Sequence, residues 1–152
     1  MQYPLLAIEP GGFTQILPSE NYWNSLPSGF VAIFKKKQDT LGFYGKDGRT
    51  WKLKAIFPSE EVGFMDRLLR PMKRINVSVE FQCVGEYSLD DIRSAMRSAV
   101  EADDDILCQH HSRAQILKWL SEAKSISRIF TLYTWITKDF TKQRDKRVRL
   151  SH

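Results

Sequence analysis

The stretch Arg74-Ile75-Asn76-Val77-Ser78-Val79-Glu80-Phe81-Gln82-Cys83-Val84 alternates apolar and polar residues through five cycles. A period of two sends successive side chains to opposite faces, so this run is a strand with one buried and one wet face. A strand needs neighbours, and residues 29–57 supply them. Phe30, Ala32 and Phe34 alternate with Val31 and Ile33 before Lys35-Lys36-Lys37, which reads as a first strand. Gln38-Asp39 turns the chain into a second strand at Leu41–Tyr44. Asp47-Gly48 is the strongest local signal, because a tight hairpin turn needs residues tolerant of positive φ. Beyond it, Trp51, Leu53 and Ala55 point one way and Lys52 and Lys54 the other, giving an early antiparallel meander with one wet face.

Helices follow. Ser59 with Glu60 and Glu61 marks a helix start, Val62, Met65 and Leu69 keep helical spacing, and Pro71 stops the run. Ser88 with Asp91 forms a capping-box pattern ahead of the stripe Leu89, Ile92, Met96, Ala99 and Val100. Ser112 with Gln115 repeats that pattern ahead of Ile116, Trp119, Leu120 and Ala123. The segment Arg128–Thr137 is dense in β-branched and aromatic residues and is assigned to a strand, with a helix beginning at Ser125 or Ser127 as the competing assignment. Strands early and helices late predict an α+β fold: a mostly antiparallel sheet with about three helices packed on one face. The first 25 residues, with Pro4, Pro10, Gly11, Gly12 and Pro18, are expected to form a surface wrap or an edge strand.

Chain length sets the number of domains. At 152 residues and 42% hydrophobic content, the chain fits one core. Its net charge of +5 is unevenly placed. Residues 138–152 hold six Lys/Arg against two Asp/Glu, while 1–137 hold seventeen against sixteen. The expectation is therefore one near-neutral domain over 1–137 with a basic C-terminal tail over 138–152. No run approaches the roughly 18–20 apolar residues of a membrane span, and the N-terminus lacks the pattern of a signal peptide. These features predict a cytoplasmic protein without a membrane partner. Cys83 and Cys108 are expected to be reduced, buried thiols, since two cysteines without ligand spacing make neither a disulfide framework nor a zinc site.

Chemistry concentrates only in 101–111, where Glu101, Asp103, Asp104, Asp105, Cys108, His110 and His111 fall together. Adjacent histidines diverge in a helix or a strand, whereas metal-binding histidines sit three or four residues apart to share a face. The segment reads instead as a polar helix-to-helix connection, with no metal expected. No Gly-x-Ser-x-Gly elbow or Gly-rich phosphate loop occurs, and the well-placed serines are helix caps, so neither a catalytic residue, a cofactor nor a small-molecule substrate is predicted. Three consecutive carboxylates do make a potential that attracts Lys/Arg on a protein partner. Glu101, Asp103, Asp104 and Asp105 are the candidate partner-binding residues. The alternative is a nucleic-acid-binding module using Lys35, Lys36, Lys37, Lys52 and Lys54 with Arg144, Lys146, Arg147 and Arg149 of the tail. Phe43, Tyr44 and Trp51 would serve as its stacking platform if exposed, although aromatics are more often core.

The stretch ADDDILCQHHSRAQILKWLSEAKSISRIF resembles the closing segments of small bacterial immunity proteins of polymorphic-toxin and contact-dependent growth inhibition systems. Its shared features are an acidic Asp-Asp-x-Leu turn, a Gln, a capped short helix and an Ala-Lys-Ser step, covering about a fifth of the chain. The resemblance implies a non-enzymatic cytosolic protein that binds and neutralises one cognate toxin, often a nuclease whose basic cleft would suit the acidic turn.

Overall fold

The run Leu5–Glu9 (β1), four apolar residues and a glutamate, is buried at every position, which requires a strand covered on both faces. In the computed structural model, which describes residues 1–60, 63–70, 72–102 and 107–137, β1 lies inside a six-stranded sheet. The other strands are β2 (Phe13–Leu17), β3 (Ser25–Pro27), β4 (Gly42–Gly45), β5 (Arg49–Pro58) and β6 (Arg74–Glu86). Their order is β2-β1-β4-β5-β6-β3, and every pairing is antiparallel. The first 25 residues are therefore no surface wrap. β2 does take an edge, but β1 is central, because Leu5 and Ala7 enter one core layer while Leu6 and Ile8 enter the other.

The class is α+β, as the order of elements predicts. Residues 28–37, however, form helix α1 (Ser28–Lys37) rather than a strand. Ser28, Val31 and Phe34 recur every three residues and are its buried stripe, and the three lysines end it where the helix dipole favours cations. No side chain caps its start. Tertiary bonds replace the cap: Ser28 N–H donates to Lys73 O (2.8 Å) and Ser28 Oγ–H to Arg70 O (2.9 Å). A bond between the α1 C-terminus and the end of β1 completes the anchoring, with Lys37 Nζ 2.8 Å from the buried Glu9 carboxylate. α1 and the 3-10 turn Glu20–Trp23 cover the sheet face that carries Leu5, Phe43, Leu53 and Ile75, opposite the later helices.

The hairpin and the long strand follow the sequence closely. Gly48 has φ +79°, the left-handed conformation that a glycine adopts without strain. Tyr87 locks this hairpin, since its N–H donates to Gly48 O (2.8 Å) and its hydroxyl to Gly45 O. Burial raises its phenol pKa well above the usual value. Tyr87→Phe leaves the Gly45 carbonyl without that donor and is expected to cost about 1–2 kcal/mol, read as a lower urea midpoint at unchanged slope. One detail of β5 departs from strict alternation. Leu53 faces Phe81 and Ala55 faces Glu80, so Lys54 is an extra residue in a bulge. The bulge makes Leu53 and Ile56 the buried pair and leaves Trp51 and Ala55 only partly buried.

α2 (Phe64–Leu69) begins later than Ser59, while Val62 and Pro71 of the expected helix lie outside the described residues. α3 (Leu89–Glu101) and α4 (Arg113–Glu122) start at the two expected capping boxes. Ser88 Oγ accepts from Asp91 N–H (3.2 Å) and Asp91 Oδ2 accepts from Ser88 N–H (2.7 Å). The Ser88 N–H, and then the Ser88 hydroxyl (2.7 Å), donate to the Asp91 carboxylate and hold its carboxyl below the ordinary pKa. A depressed carboxyl stabilises the fold above its unfolded value and loses that contribution as pH falls through the folded one. Ser88→Ala is expected to cost about 1 kcal/mol at neutral pH. Urea titrations at falling pH should also show a shallower acid-side decline than in the parent.

The segment assigned to a fifth strand is a helix over 126–137 (α5), so the helices exceed the three expected. Ile129, Leu132, Tyr133 and Ile136 stand at i, i+3, i+4 and i+7 and are all buried. Ser125 Oγ caps it by accepting from Arg128 N–H (3.2 Å). Thr131, Thr134 and Thr137 each donate their hydroxyl to the carbonyl four residues earlier, at 3.0, 2.9 and 3.0 Å. Those bonds satisfy the hydroxyls within the helix, and the buried stripe supplies its stability. α3, α4 and α5 pack together over Leu6, Ile8, Tyr44 and Tyr87.

Candidate functional site

The loop from α3 to α4 and the faces of α4 and α5 meet in an aromatic cluster built by His111, Trp119 and Trp135. The His111 ring stacks on Trp135 at 4.9 Å and 23°, and meets Trp119 edge-on at 5.0 Å and 75°. The two indoles are themselves edge to face, 5.2 Å apart at 83°. Ile116 and Leu120 bury the inner side of α4, and Trp119, between them in sequence, stands at its margin, partly buried. α5 places Trp135 beside buried Ile136, yet Trp135 itself is 45% exposed.

The indoles border an open cleft of about 450 Å³, with Leu132 and Ala123 at its apolar side and Glu122, Arg128 and Thr131 as its polar groups. Arg93 supports this arrangement from α3. Its guanidinium pairs with Asp90 (2.8 Å) and donates to the Ala123 carbonyl, fixing the end of α4 against α3. An apolar, aromatic-walled recess with one arginine and one carboxylate can seat an apolar side chain of a partner and orient its polar neighbours.

The residues expected to matter are distributed differently. Glu101 is exposed at the end of α3, while Asp103, Asp104 and Asp105 lie outside the described residues, as do Arg144, Lys146, Arg147 and Arg149. Cys108 is partly buried and packs against the helical core layer, and His111 is committed to the indole stack. Among the described residues no group of three or more His, Cys, Asp or Glu is placed to hold a metal ion. Cys83 is exposed on β6, contrary to the expectation of a buried thiol, because it falls where the outer part of that strand is open to solvent.

The lysines of the nucleic-acid alternative are divided between the two sides of the sheet. Lys35, Lys36 and Lys37 end α1 on one side, and Lys37 is paired with Glu9. Lys52 and Lys54 belong to the wet face opposite, where Lys54 pairs with Glu80 (3.3 Å). Phe43 is fully buried, and Tyr44 and Trp51 pack against the two core layers, so the aromatics between these lysines serve the core.

Sequence reasoning missed Trp119 and Trp135 as a pair. Trp119 was legible as a helix-stripe residue, but a strand over 128–137 hides its neighbour. With helical spacing, Arg128, Thr131 and Trp135 fall on one face at i, i+3 and i+7, which is the signal that would have found the cleft. The chain matches no protein-family model, no curated protein and no solved structure.

Proposed function

We propose that this protein is a non-enzymatic binder of a single protein partner, of the immunity type, and neutralises a cognate toxin by covering its working surface. The observation that carries the reading is Trp135, a large indole left half in solvent at the mouth of a cleft while His111 and Trp119 hold its ring in place. Tryptophan and arginine dominate the energetics of protein interfaces, and a ring fixed before binding loses little freedom on association. The same loop that supplies His111 carries the run Asp103-Asp104-Asp105, so an aromatic anchor and an acidic stretch belong to one connection. A basic toxin surface, such as a nuclease cleft, has the complementary charge.

Co-expression with the toxin domain encoded beside this chain tests the proposal. Growth restored by the parent protein, together with a stable complex of the two purified proteins, is the expected result. Toxicity undiminished by the parent protein, with no complex at micromolar concentrations, would overturn it.

A further inference from the structure

We propose that the face built by α1, α2 and the chain entering β6 docks on an anionic phospholipid surface. Phe64, Leu68, Leu69 and Met72 are 70, 62, 66 and 71% exposed, and Phe30 and Ile33 of α1 add 39 and 49%. Monomeric proteins rarely leave so many large apolar side chains together in water without a use for them. α1 and α2 are in contact, the two bonds from Ser28 tie Arg70 and Lys73 to the start of α1, Phe30 and Met72 line the same groove, and Ile33 lies one turn from Phe30.

The charge of this face decides the kind of partner. Lys35 and Lys36 stand exposed at the end of α1 and Arg70 beyond α2, and among the described residues no carboxylate pairs with any of them. Over 28–39 and 60–74 the sequence holds seven Lys/Arg against four Asp/Glu. Protein interfaces favour Phe, Met and Arg as well as Trp and Tyr but are depleted in lysine, so the exposed Lys35 and Lys36 are what set this face apart from the Trp135 cleft. Exposed Phe, Leu and Met beside lysine and arginine are the composition of segments that lie in the headgroup region, the apolar side chains inserted and the cations at the phosphates.

The expectation of no membrane partner rested on the lack of a spanning segment. Among the described residues no helix is long and apolar enough to cross a membrane, and surface docking needs none.

Co-sedimentation of the full chain with phosphatidylcholine vesicles, plain or containing about one third phosphatidylglycerol, is the test. Binding should favour the anionic vesicles by about tenfold or more and weaken with added salt. The double variant Leu68→Ser/Leu69→Ser, at exposed positions where the circular dichroism should stay unchanged, should reduce it by about tenfold or more, and Lys35→Glu/Lys36→Glu should reduce it as well. Removal of 138–152 should leave most of the binding in place. The proposal is overturned by equal retention on neutral vesicles, by indifference to the leucine substitutions, or by complete loss with the tail, which would assign the attraction to the tail alone. It is equally overturned if the face instead makes a concentration-dependent dimer that the leucine substitutions abolish, with no vesicle binding.

Discussion

Trp23→Ala is expected to lower the free energy of unfolding by about 3–5 kcal/mol, the largest effect of any substitution discussed for this fold. Trp23 is 1% exposed and occupies the centre of the layer between the sheet and α1. Its indole stacks on Phe34 (4.6 Å, 17°), meets Phe43 edge-on (5.4 Å, 80°) and lies 6.5 Å from Phe81. Its ring N–H donates to Gln15 Oε1 (3.3 Å), so the same side chain ties the 3-10 turn to β2. Removing it leaves a cavity bordered by three elements that cannot all close in. A loss of this size is comparable to the whole stability of a modest domain, so Trp23→Phe, which keeps most of the volume, supplies a measurable intermediate. Urea denaturation followed by circular dichroism gives the numbers. A loss below about 1 kcal/mol for the alanine variant would mean that this layer is not the core described.

Trp135→Ala is expected to do the reverse, sparing stability and removing binding. Half of the ring is already in water, so its loss should cost no more than about 1 kcal/mol of folding free energy. Under the proposed function, complex formation with a cognate toxin should weaken by about 30- to 1,000-fold, equivalent to about 2–4 kcal/mol for an anchor at an interface. His111→Ala removes the ring that stacks on Trp135 without itself lining the cleft, so its smaller penalty should come from a less ordered anchor. Isothermal titration of the three proteins against the toxin separates these effects. Unchanged affinity in Trp135→Ala would take the cleft out of the interface, even if the protein still neutralised the toxin by another face.

The two tryptophans also mark where reading the sequence succeeds and fails. Trp119 follows a capping box that sets the register of α4, so its place on the helix is legible from Ser112 and Gln115. Trp135 sits in RIFTLYTWIT, where residues suited to a strand fold as a helix. The packing of Ile129, Leu132, Tyr133 and Ile136 into the helical core layer outweighs local propensity there. Phe30–Phe34 makes the same point. Its apolar residues satisfy a period of two or of three to four, and the bonds that Ser28 donates through its hydroxyl and its N–H to carbonyls 42 and 45 positions away select the helix.

Short-range physics is sufficient for part of this molecule. Two capping boxes, one Asp-Gly turn and a five-cycle alternation determine α3, α4, the β4–β5 hairpin and β6, because each signal is satisfied within a few residues of chain. The central position of β1, the helical state of α1 and α5, and the meeting of His111, Trp119 and Trp135 belong to tertiary structure alone. In each case an apolar segment compatible with more than one local conformation is decided by the surface it must cover, and that surface is built by residues distant in sequence.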